Sequence, residues 1–322
     1  MQCRLVSGLE ALEHFATFTG TTQSQQHIKP LHWYVACRLV LEGGFRPEEI
    51  TPHPPFRSVG SGAGMRLVYD ESVATNAERT ILGGLKTKNV DVVVTKDGIG
   101  PVVAISVKGT VGAFRNLTNR MEEAVGDCTN LHITYPALVT GFMTVLRANR
   151  MVAQAAGALP AEGDAAARAI MQNDVAIDAG GTPVETIIRY HNALRELSGR
   201  RGIRDDVSSY EAVSLALVMS NAGVPGTLEP VFPTEDSPIH PEGFFPAIYR
   251  SYDERYVYSA PDLRNLTARR EWTRIEGLPV VPDSLGYDIR QPGEGAEGFV
   301  DATAPLAGED APAVLPQGRL DL

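Results

Sequence analysis

The stretch NVDVVVTKDGIGPVVAISVKG, residues 89–109, predicts a β-hairpin. Two runs rich in β-branched residues, 89–95 and 101–109, flank the segment KDGIG, whose Asp-Gly pair is typical of a tight turn. The second run begins as a buried strand and then places Ser106 and Lys108 two residues apart. Because side chains alternate across a strand, these two polar groups project from the same face. A lysine at the end of a core strand needs a partner, since burying an unpaired charge is costly.

Asp91, near the start of the first strand, is the predicted partner of Lys108. In a hairpin whose turn lies near residues 97–100, positions 91 and 108 are close to opposite each other. A carboxylate and an ammonium group therefore converge at the open end of the hairpin.

A helix predicted over residues 112–127 adds a second carboxylate. Arg115, Asn119 and Glu122 are spaced i, i+4 and i+7, which places them along one flank of this helix. Two carboxylates can hold Mg²⁺, and a neighbouring lysine can orient or deprotonate water and neutralise developing charge. This set of groups suits phosphodiester hydrolysis. The alternative is a plain salt bridge between the aspartate and the lysine, with no catalytic role.

The pattern of Asp91 followed by Ser106-Val-Lys108 resembles the PD-(D/E)XK nuclease superfamily, in which Asp on one strand and (D/E)-x-K on the next form the site. Ser106 stands where an acid is usual. In this respect the chain is similar to a branch of type II restriction endonucleases that cut around CCGG cores. Their strand contains S-V-K, and a Glu on the next helix, 13 or 14 residues beyond the Lys, supplies the missing acid. Glu122 lies 14 residues after Lys108.

The resemblance implies an α/β fold with a restriction-endonuclease-like core, in which a mixed β-sheet is flanked by helices. Additional helical and loop-rich elements would follow toward the C-terminus. It also implies that Asp91 and Glu122 hold Mg²⁺, that Lys108 acts on the attacking water, and that Ser106 supports the site.

Further residues are candidates for the same site. Glu123 is the neighbouring alternative to Glu122, and Glu78, predicted on a helix over residues 72–84, is a candidate additional acid. Glu42 is a second candidate for the role of Glu78. Arginine can read guanine edges or hold phosphate, so the candidate DNA-binding residues are Arg115, Asn119 and Arg120.

The predicted function is Mg²⁺-dependent cleavage of double-stranded DNA at a specific sequence, which the resemblance suggests is a GC-rich palindrome. Symmetric duplex sites are usually recognised by symmetric subunits, so we expect a homodimer, with a tetramer as the alternative. Two other functions stay open. One is a repair, modification-dependent or phage-defence nuclease of low sequence specificity, and the other is a non-catalytic DNA-binding protein.

The composition of the 322 residues, with 43% hydrophobic and 21% charged, is that of an ordinary globular protein. We expect N-terminal helices and the catalytic core in residues 1–180, recognition and dimerisation elements in 181–297, and an acidic Pro/Gly/Ala-rich tail in 298–322. The net charge of −10 argues against indiscriminate coating of nucleic acid, although a local basic cleft remains compatible with it.

Three widely spaced cysteines predict neither a disulfide framework nor a zinc site, and they favour a reducing cytoplasm. No apolar run reaches the roughly 18 residues that a membrane span requires. The first residues lack the basic stretch and apolar block of a signal peptide, so none is expected.

Apolar periodicity and Pro/Gly boundaries predict the remaining elements. The segment from about residue 228 to 260 is interrupted by prolines and is interpreted as loops and short strands. The other predicted elements are helices over 29–44, 183–198, 208–222 and 260–275, and a strand followed by a helix within 130–157.

Overall fold

A computed structural model describes residues 2–60, 65–151, 172–279 and 285–292. The helices are α1 (Gly8–Thr17), α2 (Lys29–Leu41), α3 (Leu117–Thr134), α4 (Glu185–Glu196), α5 (Pro241–Tyr252) and α6 (Arg264–Thr267). The strands are β1 (Ile50–Thr51), β2 (Phe56–Val59), β3 (Arg66–Tyr69), β4 (Arg79–Leu82), β5 (Thr87–Val90), β6 (Val92–Lys96), β7 (Gly100–Thr110), β8 (Val139–Ala148), β9 (Ala212–Met219) and β10 (Ile275–Glu276).

The predicted hairpin lies at the centre of a five-stranded mixed sheet, in the order β1-β6-β7-β8-β9. Strand β6 runs antiparallel to β1 and β7, whereas β7, β8 and β9 run parallel. Helix α3 lies in the crossover that joins the parallel strands β7 and β8. The predicted α/β class, with a mixed sheet flanked by helices, is confirmed.

Alternate residues of β8 enter two hydrophobic cores on opposite faces of the sheet. Val139, Met143 and Val145 pack in a core with residues of α2 and α5. Phe142 and Leu146 pack in the other core, with residues of α3 and α4. Strands covered on both faces are apolar along nearly their whole length rather than at alternate positions, which explains the sequence AVSLALVM of β9.

The hairpin prediction is confirmed, with a shift in register. Strands β6 and β7 pair antiparallel, with Val92 opposite Ile105. Asp91 precedes the first pair of this ladder, and the register extrapolated by one step aligns it with Ser106 rather than with Lys108. The lysine therefore reaches the aspartate diagonally, which a long side chain can do.

The helix predicted over residues 72–84 is wrong. Glu71–Val73 form a single 3-10 turn, and β4 lies where the second half of the helix was expected. Strand β4 pairs antiparallel with β5, and within β4 only Ile81 is buried. Its side chain packs against Val90 of the neighbouring strand. The segment buries a single side chain rather than the row of apolar side chains that an amphipathic helix would bury. Burial of this kind is typical of a strand at the surface.

Two other predictions fail for identifiable reasons. Residues 208–222, predicted as a helix, contain strand β9, because a strand buried on both faces has the same apolar composition as a buried helix. Residues 228–260, predicted as loops and short strands, contain helix α5. Pro241 occupies its first turn, where proline is tolerated, and Pro246 lies inside the helix without ending it. The helix predicted over 260–275 is reduced to a 3-10 turn followed by the four-residue α6.

Helices α2, α3 and α4 confirm the predictions over 29–44, 112–127 and 183–198, and α3 extends further, to Thr134. Strand β8 confirms the strand expected within 130–157. The helix expected after it falls largely outside the described residues, as does the tail over 298–322.

Residues beyond 180 belong to the same sheet, because they supply strand β9 and the covering helices α4 and α5. A role of residues 181–297 in recognition and dimerisation stays a prediction. The three cysteines are buried and free. Across the described ranges, no helix has the length and apolar character needed to cross a membrane.

A buried ion network lies at the start of β9. Glu211 accepts hydrogen bonds from Arg200 at 2.7 Å and from Arg255 at 2.9 Å. The backbone N–H of Thr140 donates to the same carboxylate at 2.6 Å. The side chains of Glu211 and Arg200 are fully buried, so Arg200 does not present a charge to a surface ligand.

Replacing Glu211 with alanine leaves two arginines without their buried counter-charge, and we expect the free energy of unfolding to fall by about 3–5 kcal/mol. Glu185→Ala is the matched control, because Glu185 pairs with Arg189 on an exposed helix face, and its expected loss is below about 0.5 kcal/mol. Urea unfolding followed by circular dichroism measures both. Equal losses of unfolding free energy in the two variants would contradict the expectation that the buried network stabilises the fold more than an exposed ion pair does.

Candidate functional site

Asp91 lies at the break between two strands. Strand β5 ends at Val90 and pairs with β4, whereas β6 begins at Val92 and pairs with β7 and β1. The Asp91 side chain is buried, and its Oδ2 atom accepts a hydrogen bond of 2.8 Å from the backbone N–H of Val107. This bond fixes the orientation of the carboxylate, so that Oδ2 faces β7.

Lys108 reaches this carboxylate from the end of β7. Its Nζ atom lies 3.4 Å from Asp91 Oδ2. The lysine side chain is 29% exposed, whereas that of the aspartate is 6% exposed. The predicted convergence of the two groups is confirmed, and the lysine side chain is partly exposed to solvent. Ser106 is half-buried on the same face of the strand.

Glu78 brings a second carboxylate to the same place. It lies in an extended segment just before β4 and not on a helix, contrary to prediction. Its Oε1 atom accepts a hydrogen bond of 2.8 Å from Nζ of Lys29, which lies in the first turn of α2. Each of the two carboxylates of the site therefore has its own lysine.

His32, one helical turn after Lys29, completes the group. Its side chain is buried, and Nε2 lies 3.8 Å from Asp91 Oδ1, too far for a hydrogen bond. Burial lowers the pKa of His32 to about 4, so the imidazole is neutral at pH 7 and this contact is not an ion pair. Nε2 has no hydrogen-bond partner among the described residues. A buried polar atom left in this state costs about 1–3 kcal/mol.

His32, Glu78 and Asp91 can together hold a cation. One ligand atom from each lies within 4.8 Å of the other two, and within the ranges that the structure covers no other group of three or more such side chains comes this close. The carboxylates are balanced by the ammonium groups of Lys29 and Lys108. The arrangement offers oxygen and nitrogen ligands beside a partly exposed lysine, which is a set suited to metal-assisted hydrolysis.

Glu122 does not join this group. It is exposed on α3 and, with Arg115, lines a cleft of about 620 Å³ between α3 and α4. Glu123 is also exposed and pairs with Arg120 at 3.0 Å. The pairing of Asp91 with Glu122 as metal ligands is therefore not present in this geometry, and Glu78 stands beside Asp91 instead.

The remaining candidates are distributed as follows. Arg115, in the 3-10 turn before α3, and Asn119 and Arg120, in the first turns of α3, are exposed, and their contact with DNA stays a prediction. Glu42, the second candidate for the role of Glu78, instead accepts a hydrogen bond of 2.7 Å from Arg38 on its own helix.

Lys29 and His32 were not identified as site residues from the sequence. The only local signal is a pair of polar residues at i and i+3 within the otherwise apolar start KPLHWYVAC of helix α2. This helix is buried almost all round, so no apolar stripe marks which side faces the site.

Comparisons with known proteins gave no match for this chain, whether against family models, curated proteins or solved structures.

Proposed function

We propose that this chain is a Mg²⁺-dependent nuclease that cleaves both strands of DNA at a specific sequence. The observation that carries the proposal is the pair formed by Asp91 and Lys108 at the end of the hairpin, 3.4 Å apart, with the Glu78 carboxylate beside it. The order of hairpin, helix and parallel strand agrees with the restriction-endonuclease-like core that the S-V-K resemblance implies.

The oxygen atoms of the site suit a hard divalent cation. Asp91 directs Oδ2 to the Val107 N–H and Lys108, which leaves Oδ1 on the side of His32, and a carboxylate oxygen of Glu78 lies within 4.8 Å of this group. Asp91 and Glu78 are thus the residues that would hold Mg²⁺. When bound, such a cation supplies an activated water and polarises a phosphoryl oxygen.

Lys108 is placed where it can act on the attacking water and on the negative charge of the phosphate. Its ammonium is held by the Asp91 carboxylate and is partly exposed, so it can orient an attacking water and neutralise the negative charge that develops on phosphate. Lys29 holds the Glu78 carboxylate in place through a contact of 2.8 Å. Ser106 lies on the same face as Lys108 and supports the site as a neighbouring hydroxyl.

Double-stranded DNA is the proposed substrate, and a homodimer acting in the cytoplasm is the proposed form. A chain with a net charge of −10 needs local positive groups to approach phosphate. The exposed side chains of Arg115, in the turn before α3, and Arg120, on α3, can supply them.

Incubation with plasmid and phage DNAs, in Mg²⁺ and in Mg²⁺ with excess EDTA, tests the proposal. We expect discrete fragments with Mg²⁺ and intact DNA with EDTA, because the carboxylates need a cation to act. Fragments of every length would favour the nuclease of low sequence specificity. DNA left intact across many sequences would leave only the non-catalytic DNA-binding protein.

A further inference from the structure

Three separate segments of the chain place one ligand side chain each at the candidate site. His32 comes from the start of α2, Glu78 from the segment before β4, and Asp91 from the break between β5 and β6. Their ligand atoms lie within 4.8 Å of one another. Neighbouring ligands of a six-coordinate ion are about 3 Å apart, so the side chains need only a small movement to enclose one.

The histidine provides an observation independent of the acids. His32 is 1% exposed, and its Nε2 atom points toward Asp91 Oδ1 without a hydrogen-bond partner among the described residues. Buried polar atoms are normally paired. A cation between His32 and Asp91 would give this nitrogen the partner that the protein itself does not provide.

The contacts of the carboxylates are compatible with such an ion. Asp91 uses Oδ2 for the Val107 N–H and for Lys108, while Oδ1 faces the imidazole. Glu78 contacts Lys29 through Oε1. One oxygen of each carboxylate therefore has a donor, and the imidazole nitrogen lies on the side of the other Asp91 oxygen, Oδ1, which accepts no hydrogen bond from the residues that the structure describes.

We propose that His32, Glu78 and Asp91 form a mixed nitrogen and oxygen site that binds a transition-metal cation of the Mn²⁺ type more tightly than Mg²⁺. Magnesium takes oxygen ligands, whereas first-row transition-metal ions also accept imidazole, and among these ions Mn²⁺ is the one that carboxylate oxygens suit best. The inference deepens the proposed function, on which it rests for the role of the ion, since the same carboxylates would serve hydrolysis.

Binding of Mn²⁺ to the full chain without DNA, followed by the electron paramagnetic resonance of free Mn²⁺, tests the site, and Mg²⁺ affinity follows from competition. We expect Mn²⁺ to bind at least about tenfold more tightly than Mg²⁺. His32→Gln should lower Mn²⁺ affinity by about 10- to 100-fold and change Mg²⁺ affinity much less. The matched control is His191→Gln, because His191 is also buried but hydrogen-bonds Ser237 at 2.9 Å, and it should bind Mn²⁺ as the parent chain does.

A second measurement needs no variant. Electron spin-echo envelope modulation of the Mn²⁺-loaded parent chain should show coupling to a ¹⁴N nucleus, which only an imidazole nitrogen in this group can supply. Absence of this coupling, equal affinity for the two metals, or unchanged Mn²⁺ binding in His32→Gln would each overturn the inference.

These results are distinguishable from failure of the proposed function. A chain that cuts DNA with Mg²⁺ but shows no nitrogen coupling keeps the nuclease and loses the mixed site. A chain that shows the coupling but leaves DNA intact keeps the mixed site and loses the nuclease.

Discussion

Replacing Lys108 with alanine is expected to lower the rate of DNA cleavage by about 10³-fold or more, since water activation and charge stabilisation are lost together. DNA binding should persist, because a single ammonium at the bottom of the site is a small part of the phosphate contacts. Cleavage is measured under single-turnover conditions in Mg²⁺, and binding by fluorescence anisotropy in Ca²⁺. Lys86→Ala, which removes an exposed lysine from the turn between β4 and β5, should cut normally.

Lys108→Arg separates two roles of the same side chain. Arginine keeps the positive charge but cannot act as a base in a protein, because its pKa is above about 12. Substantial cleavage by this variant would indicate that Lys108 acts by stabilising charge. Absence of cleavage would indicate that Lys108 transfers a proton or positions the attacking water.

The alternative interpretation of the pair, a plain salt bridge, gives a different result. Lys108 is 29% exposed but the Asp91 carboxylate is only 6% exposed, so a purely structural lysine would act on the stability of the fold, by pairing a buried charge, and not on the chemistry of cleavage. A structural lysine would therefore leave the cleavage rate unchanged on replacement with alanine. Retention of the parent rate in Lys108→Ala would refute the assignment of the active site.

The sequence identifies the part of the site that depends on local pattern. Alternation along one strand places Ser106 and Lys108 on one face, and a turn between two strands brings Lys108 to Asp91. Both inferences need only residues that are close in the chain. Even a register error of two positions did not prevent the contact, because a lysine side chain spans a diagonal pair.

The rest of the site depends on long-range packing, which local patterns do not encode. His32 and Lys29 reach the hairpin because helix α2 is buried against β6, and no periodicity in a helix buried all round indicates that contact. Glu78 was predicted as an additional acid of the site on a helix; it lies beside Asp91, but in the segment before β4, and its role stays a prediction. Glu122 has the spacing that the resemblance requires, yet α3 places it at the cleft with α4.

The fold shows the same division. The hairpin and helices with clear boundary residues were predicted, whereas β9 was taken for a helix and α5 for loops. The composition of β9 is apolar because helices cover both faces of the sheet. This packing is a property of the tertiary structure, so the local sequence does not reveal it. Helix α5 was missed because Pro241 and Pro246 are typical of loops. Its apolar residues, among them Phe244 and Ile248, pack on the sheet.

Glu78→Gln is expected to lower the cleavage rate by about 10²- to 10³-fold and to raise the Mg²⁺ concentration needed for half-maximal rate, because a carboxylate ligand is removed. Glu122→Gln should change the rate by less than about tenfold, because an exposed side chain outside the group can act only at long range through water. Titration of the cleavage rate against Mg²⁺ compares the two variants with the parent chain. The reverse order would show that the S-V-K resemblance, and not this geometry, identifies the second acid.

Loss of stability must be separated from loss of the ligand, because Glu78→Gln also removes the counter-charge of the largely buried Lys29. The double variant Lys29→Met with Glu78→Gln removes both charges, and such a replacement is often neutral or better for stability. If the double variant unfolds at the temperature of the parent chain and still fails to cut, Glu78 acts as a ligand. If it regains cleavage, Glu78 serves only to balance Lys29, and the site holds its cation through His32 and Asp91 without it.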